Sequence, residues 1–328
     1  MDLLSHFLTM LKIESTSISS WHLSEPWGVH VRDYQPGFCF IVTEGRFVVE
    51  TAVGQVLHLA KGDTLLAPRG GECRLLSRLG VAATDLHELN WSELRSPRLD
   101  RSAQPGSAIT VAHGGGGERC RLLGLAFSIH SGQGAFVLGA LPDFIVLRDC
   151  DASILSLTRP AIEALLSDNK PGYYAVAKHM AELIMVGLLR SYILSDKNFS
   201  PGWIKGLQDP YICKALLAIH EAPQHKWNVQ LLAAAANLSR STFAARFCRL
   251  IGQSPIDYLN GWRINLAVEL LRGGTDSVAH IASAVGYQSD RVFRQAFRER
   301  MSMSPRQYRH QQFEMDKRIK KGLLSTDV

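Results

Sequence analysis

No apolar run in this chain approaches the roughly 18 residues a helix needs to cross a bilayer. The stretch Leu183 to Leu189 is far too short, so no membrane partner is expected. A basic N-terminal region is also missing: Asp2 precedes Leu3-Leu4 without a lysine or arginine beside it, and a secretory leader is not expected. Cysteine is sparse. The six, at 39, 73, 120, 150, 213 and 248, form no C-x-x-C pair, and a chain of 328 residues can bury a core without staples. Reduced thiols and a cytoplasmic location follow as expectations. Hydrophobic residues make up 46% and charged ones 20%, which excludes disordered, collagen-like and coiled-coil compositions and leaves a globular protein of about two domains.

What the chain does have is an uneven distribution of charge. Residues 1–207 carry 19 Lys+Arg against 20 Asp+Glu, a net of −1. Residues 208–328 carry 17 against 10, a net of +7, so the whole excess of +6 belongs to the last third. A basic segment beside a neutral one suggests a polyanion as partner for the basic part alone.

Leu3, Leu4, Phe7, Leu8 and Leu11 give residues 1–14 one apolar helical face. From Trp21 to about Ile129 the pattern is β-rich, with strands expected over Phe38–Thr43, Arg46–Thr51, Gln55–Leu59, Thr64–Ala67, Glu72–Leu76 and Leu122–Phe127. Turns fall at Glu44-Gly45, Gly62-Asp63 and Pro68 to Gly71. Many short strands at this spacing favour a sandwich or barrel. Residues 91–121 read as irregular, with His113 to Gly117 a flexible loop. From Asp151 the period becomes helical. Ile154, Leu155, Leu157, Ile162, Leu165 and Leu166 fit one helix, and Tyr173 to Leu194 another, apolar nearly all round at Val176, Met180, Leu183, Ile184, Leu188 and Tyr192. Such a helix is covered on several sides, by the core or by a second copy in a homodimer. Pro201-Gly202 and Gly206 mark Ser195 to Gln208 as a linker.

The basic segment contains a repeat. Ser239, Phe243, Phe247, Ser254, Pro255 and Tyr258 recur 50 residues later as Ser289, Phe293, Phe297, Ser304, Pro305 and Tyr308. Each unit has the pattern of a helix-turn-helix. In the second, Ser277 caps a helix with Val278, Ile281, Ala282 and Val285 on one face; Gly286 ends it, and Ser289 caps the next. Phe293 and Phe297, four apart, pack that helix inward. In the first, Asn228 caps, Val229, Leu232, Ala235 and Ala236 face inward, and Asn237 takes the left-handed turn. A helix opened by Ser254-Pro255 and ended by Gly273-Gly274 joins the units, its core side at Leu259, Trp262, Leu266 and Leu270. At 1.5 Å per residue it spans roughly 25 Å. That suits two recognition helices in successive major grooves, about 34 Å apart.

The block from Trp227 to Tyr308 resembles the DNA-binding domain of the AraC family of transcription regulators. The resemblance rests on Arg263-Ile264, Ala267, Leu270-Leu271, Val278, Ile281-Ala282, Gly286-Tyr287, Phe293, Phe297 and Ser304-Pro305. It implies that the outward faces of the second helix of each unit meet DNA: Arg240, Ser241, Thr242, Ala245, Arg246 and Arg249 in the first, Asp290, Arg291, Arg294, Gln295 and Arg298 in the second. Arginine reads guanine, Gln adenine, and Asp accepts from cytosine, whereas small side chains such as Ser241, Ala244 and Ala245 reach at most a thymine methyl. The second unit is therefore expected to carry much of the hydrogen-bonded specificity, with Arg249 and Arg298 on phosphates.

The N-terminal part is similar to the cupin-type sensor domain that precedes such DNA-binding domains. Trp27-Gly28, Phe38 to Gly45, Lys61-Gly62-Asp63, Pro68-Arg69-Gly70, Gly114 to Gly117, Arg121 to Gly124, Leu141-Pro142 and Gly202-Trp203 carry the likeness. Related domains place histidines where this chain has Phe40 and Cys73, and the remaining His58 and Glu72 make a poor metal site, so no metal and no other cofactor is expected. The likeness instead implies an apolar effector pocket, with Trp27, Phe38, Phe40 and Cys73 as its lining. Arg74 and Arg78 offer a weak phosphate-gripping spacing. Cys39, Cys73 and Cys120 offer an oxidant-sensing alternative.

The expected architecture is α+β: an N-terminal cupin-like β-barrel or sandwich with a helical dimerisation segment, then an all-α domain of two helix-turn-helix units. The boundaries are 1–197 for sensing and dimerisation, 198–208 for the linker, 209–310 for DNA binding and 311–328 for a basic tail. The function expected is a sequence-specific regulator of transcription, most often an activator, and not an enzyme. It would bind double-stranded promoter DNA as a homodimer, meet RNA polymerase there, sit with the nucleoid and answer a small molecule or a stress signal. The alternatives are a metal-dependent cupin enzyme fused to a DNA-binding domain, and an effector-free architectural DNA binder.

Overall fold

The computed structural model describes residues 2–11, 13–32, 37–89, 91–92, 109–129, 133–148, 153–167, 172–195 and 199–324. The chain opens with α1 (Leu3–Thr9), followed by strands β1 (Ile13–Ser24), β2 (Gly28–Val31), β3 (Gly37–Glu44), β4 (Arg46–Thr51), β5 (Val56–Ala60), β6 (Thr64–Ala67), β7 (Cys73–Leu76), β8 (Thr84–Asp85), β9 (Trp91–Ser92), β10 (Ile109–Gly114) and β11 (Arg119–Ile129). Next come α2 (Gln133–Gly139), β12 (Ile145–Leu147), α3 (Ser153–Ser167) and α4 (Tyr173–Ser195). The remainder is helical: α5 (Trp203–Leu207), α6 (Pro210–Glu221), α7 (Val229–Ala235), α8 (Arg240–Ile251), α9 (Pro255–Gly273), α10 (Val278–Ala284), α11 (Asp290–Met301) and α12 (Pro305–Leu324). No helix among the described residues is long and apolar enough to cross a membrane.

Contacts divide the chain into two units. A β unit comprises Leu11–His130 and Leu141–Ser195; a helical unit comprises Met1–Met10, Ser131–Ala140 and Asp196–Val328.

The β unit has a seven-stranded sheet, ordered β12-β6-β3-β11-β1-β10-β9, and a five-stranded sheet, ordered β5-β4-β7-β2-β8. Alternate residues point into the core: Phe38, Phe40 and Val42 on β3, Phe47 and Val49 on β4, Val29 and Val31 on β2, and Cys73 and Leu75 on β7. That is the two-residue period of a strand with one face turned inward. The seven-stranded sheet is also covered behind, where α3 and α4 pack on β1. Cys39 and Ile41, on the other face of β3, are accordingly buried too, which is why this strand reads as one continuous apolar run.

Two segments differ from expectation. β1 starts at Ile13, well before Trp21, because a serine- and threonine-rich sequence hides its alternation. Thr16 donates its hydroxyl to the Ala126 carbonyl (3.0 Å), and the strand pairs antiparallel with β11 from Ile13 to Ser24. The segment expected to be irregular contains β10, paired parallel with β1; residues 93–108 lie outside the described ones. The glycine loop is held, not free. The backbone N–H groups of Gly115 and Gly117 bond the carbonyls of Ser24 and Glu25, and Gly116 N–H bonds the Ser24 hydroxyl. Gly114, at φ +127°, passes so near that a Cβ there would sit 1.8 Å from the Ser24 carbonyl oxygen.

The helical unit gathers more chain than expected. α1 and α2 belong to it: Phe7 lies 4.1 Å, centroid to centroid, from Trp203, and Phe136 lies 5.3 Å from Trp262. The segment expected as a linker contains α5, with Trp203, Ile204 and Gly206 buried; residues 196–198 lie outside the described ones. Gly206 serves close packing, not flexibility, since a Cβ there would meet the Ile251 and Leu216 side chains at 2.6 and 2.8 Å. The expected tail continues α12 as far as Leu324, and residues 325–328 lie outside the described ones. Along α9 the core side is Leu259 and Trp262, then Ile264, Ala267, Val268 and Leu271, while Leu270 is exposed. A straight helix serving two units buries a different stripe against each.

His220 sits within this aromatic cluster, 4.1 Å from Trp262 and 4.7 Å from Phe7, with Nε2 2.9 Å from the Tyr258 hydroxyl. Burial, with His6 nearby, pushes its pKa down to about 3. Folded His220 thus stays neutral where an unfolded one binds a proton. Its contribution to stability is complete above the ordinary histidine range and is lost as pH falls from about 6.5 towards 3, with a limiting slope of about 1.4 kcal/mol per pH unit. Urea denaturation at pH 7.5 and 5.5 should show a smaller acid-induced loss for His220→Gln than for the wild type.

Candidate nucleic-acid interface

The two helix-turn-helix units are built by the same local devices. Asn228 and Ser277 cap α7 and α10, accepting from the backbone N–H of Leu231 (2.8 Å) and His280 (3.1 Å). Each helix ends in a left-handed residue, Asn237 at φ +54° and Gly286 at φ +96°. The residue after it folds back: Leu238 N–H bonds the Ala233 carbonyl, and Tyr287 N–H the Ala282 carbonyl. The repeat is not uniform. The caps Asn228 and Ser277 lie 49 residues apart, but Ser239 and Ser289 lie 50 apart. The second turn therefore holds one more residue, Gln288. Ser239 accepts from Thr242 N–H, whereas Ser289 occupies the cap position without a side-chain bond.

Gly286 is required twice over. Its φ disfavours a side chain, and a Cβ would approach Gln224 Cα to 2.7 Å and Arg263 Nη2 to 2.9 Å. Arg263 is engaged there, donating to the carbonyls of Pro223 (2.8 Å) and His225 (2.9 Å).

Phe243 and Phe247 anchor α8, and Phe293 and Phe297 anchor α11, all fully buried. Their ring separations are 5.5 and 5.7 Å, and each second phenylalanine meets a tyrosine, Tyr258 at 5.8 Å and Tyr308 at 5.9 Å. The burial pattern from Ser241 to Arg249 is the same, residue for residue, as that from Arg291 to Glu299. Ser241, Thr242, Ala245 and Arg249 are exposed on α8, as is Arg240 at its start; Arg291, Gln295 and Arg298 are exposed on α11. Asp290, Arg291, Arg294, Gln295, Arg298 and Glu299 line one open cleft of about 580 Å³.

Two arginines expected on the DNA face have protein partners. Arg246 donates from Nε to Asp209 Oδ2 (2.6 Å), and its guanidinium lies 4.9 Å from the centre of the Tyr211 ring. Burial raises the Asp209 carboxyl pKa. The N–H of Ile212, the Arg246 side chain and the N–H of Tyr211 outweigh that and hold it below its ordinary value. Because Asp209 also caps α6, Arg246 ties α8 to α6. Sequence reasoning missed this pair because its members are 37 residues apart. Arg294 donates from Nε and Nη2 to Asp290 Oδ2 (2.9 and 2.8 Å), one helical turn away. Gln295 donates to Glu299 (3.0 Å). Exposed Val292 and Cys248 also lie on these outward faces and were not singled out as contact residues.

In the β unit, Trp27, Phe38, Phe40 and Cys73 all pack into the core between the sheets. Trp27 also borders a cavity of about 800 Å³. Burial, with Glu72 nearby, pushes the Cys73 thiol up to about 12, and Cys120 is likewise raised to about 12, mainly by burial. Both stay protonated and unreactive at neutral pH. Cys150 lies outside the described residues. Among those described, no three His, Cys, Asp or Glu side chains converge as metal ligands. His58 is exposed on β5, and Glu72 is held by His30 at 3.0 Å.

Comparison with known proteins matches this architecture in both units. A family profile described as Cupin covers residues 2–194, and one described as Helix-turn-helix domain covers residues 232–311. An AraC-like transcription regulator of Streptomyces antibioticus is 30% identical over 94% of this chain and 98% of its own length. The chain belongs to the AraC family of transcription regulators. The HTH-type transcriptional regulator MtrA of Neisseria gonorrhoeae is 26% identical over the same shares. Among solved structures, the DNA-binding domain of AdpA in complex with a target DNA is 33% identical, with a TM-score of 0.30, covering 31% of this chain and 91% of that one. By its two family matches and its full-length relatives, the protein is a DNA-binding regulator with a cupin-type N-terminal domain, and those relatives are regulators.

Removing Arg246 should damage the fold first. In Arg246→Ala the partly buried Asp209 carboxylate loses its charge-assisted partner, and chemical denaturation should show a loss of about 1–3 kcal/mol. Arg246→Lys should recover only part of it, because a lysine cannot reproduce the planar guanidinium against both Asp209 and Tyr211.

Proposed function

We propose that this protein is a cytoplasmic, homodimeric regulator, principally an activator, that binds promoter DNA through α8 and α11. A signal received in its β unit controls it, and it recruits RNA polymerase at the promoter. The observation that carries this reading is the shared burial pattern of the two recognition helices, which leaves one face of each free for a major groove. The connecting helix α9 has 19 residues, about 28 Å at 1.5 Å per residue, which suits two adjacent grooves.

Within that interface, Arg291, Arg294 and Gln295 read bases, and Arg240, Arg249 and Arg298 hold phosphates. Asp290 keeps the Arg294 guanidinium in a fixed plane, ready for a bidentate contact with guanine. Ser241, Thr242 and Ala245 give α8 a small, close-fitting surface. Because α11 presents Arg291, Arg294 and Gln295 where α8 presents Ser241, Thr242 and Ala245, the hydrogen-bonded specificity is carried by α11.

Dimerisation uses α4. Its buried side takes Ala177, Ala181, Ile184 and Leu188, while Val176, Leu183 and Leu194 are exposed at 48, 50 and 58%. Val176, Met180, Leu183, Gly187, Arg190 and Leu194 follow one another at alternating steps of four and three, the seam of a two-helix contact.

Fluorescence anisotropy on promoter fragments selected from genomic DNA tests the interface. Arg294→Ala should cost about 1–3 kcal/mol on the preferred sequence and relax the preference at one base pair, with log K falling steeply against log salt. Equal weakening on every sequence would make Arg294 a phosphate contact, and a flat salt response would contradict the reading. For the dimer, Leu183→Arg should shift the protein from dimer to monomer in sedimentation without unfolding it.

A further inference from the structure

One end of the β unit gathers cationic side chains that the DNA-binding reading leaves unused. At this end β4 begins, β5, β7 and β12 finish, and β1 runs out towards Glu25. The register fixes the convergence: Arg46 pairs with Ala60, Val48 with Leu76, and Leu147 with Thr64. Arg46, Arg78 and Arg148 therefore arrive from three separate parts of the sequence at one cavity of about 670 Å³. That volume lies within the usual range for small-molecule sites.

The three guanidinium groups differ in how far they are neutralised. Arg148 donates to Asp63 Oδ2 (2.7 Å) and to the His58 carbonyl (2.5 Å), which fixes its position. Arg46 lies 3.9 Å from Glu118 with both side chains largely exposed, a pair of little strength. Arg78 has no hydrogen-bond or ion-pair partner among the described residues. Glu25 is the one carboxylate among the residues lining the cavity. The remaining wall is apolar. Phe47 and Leu59 are buried behind it, Val48 flanks it, and Leu79 stands 53% exposed beside Arg78. An exposed leucine next to an unpaired arginine offers one ligand both an apolar surface and a charge.

We propose that this cavity is the binding site of a small organic anion, a carboxylate or phosphate monoester with an apolar body, held by Arg78 and Arg46 with Arg148 as the fixed third side. The apolar body lies on Val48 and Leu79. Two points of charge and one apolar wall discriminate against both inorganic phosphate, which lacks the body, and a neutral alcohol, which lacks the charge. As a regulatory input, the site rests on the reading of the β unit as the signal-receiving part. Binding itself does not depend on that reading.

Calorimetric titration of the full-length protein with phenyl phosphate, phenylacetate, inorganic phosphate and 2-phenylethanol tests the site directly. At least one of the two aryl anions should bind with Kd of about 1 mM or tighter. Inorganic phosphate and the alcohol should each bind more weakly. Arg78→Ala, a change at an exposed position, should weaken the aryl anion about tenfold or more with an unchanged melting temperature. Absence of binding by both aryl anions, equal binding of the neutral alcohol, or unchanged affinity in Arg78→Ala would each overturn the proposal. Promoter affinity measured on the same samples separates the two readings: loss of DNA binding in every sample would count against the regulator and leave the anion result standing.

Discussion

The pair of phenylalanines four residues apart on each recognition helix is the constraint on which the rest of the helical unit depends. Once Phe243 and Phe247, or Phe293 and Phe297, are buried, the rotation of the helix about its axis is settled. Every other side chain then inherits its direction. The partner tyrosine, one turn into the following helix, fixes the far end of the contact. The two tyrosines are satisfied differently, Tyr258 by His220 and Tyr308 by Arg272. The same frame therefore tolerates different surroundings, and it also tolerates the extra residue in the second turn, which is absorbed before Ser289.

Net charge is a coarse guide to what such a surface presents. Among the arginines of the helical unit, Arg246 is held by Asp209, Arg263 by two carbonyls and Arg272 by Tyr308, while Arg294 is braced by Asp290 on the outward face of α11. Arg240, Arg249, Arg291 and Arg298 have no such partner among the described residues and remain available to a phosphate backbone. An arginine paired with a carboxylate inside the protein has its long-range field largely cancelled and releases little when DNA arrives.

Much of this was legible in the sequence, for identifiable reasons. The repeat preserved caps, turn residues and anchors, which are local and chemically demanding, so both helix-turn-helix units could be placed to within a residue or two. The strands from Arg46 to Ala67 were readable because tight turns punctuate them. β1 was not, because serine and threonine occur on both of its faces, Thr16 and Ser19 buried among them, and blur the alternation. The glycine loop looked mobile, but its glycines serve a close approach to Ser24 and Glu25. Long-range partners were invisible for a different reason. Nothing local marks Asp209 as the partner of Arg246, or brings Arg46, Arg78 and Arg148 together; only the pairing of strands and helices does so. The expected effector lining showed the same weakness, since aromatic residues at alternate strand positions can line a cavity or fill a core.

The helical unit is drawn from three separate stretches of chain, with Phe7 and Phe136 completing an aromatic cluster around Trp203, His220 and Trp262. A fragment that began at α5 would carry both recognition helices intact, yet would present the flank of Trp262 and His220 bare to water. Exchanging the C-terminal third with a relative would therefore pair one protein's aromatic sockets with another's plugs at Phe7 and Phe136.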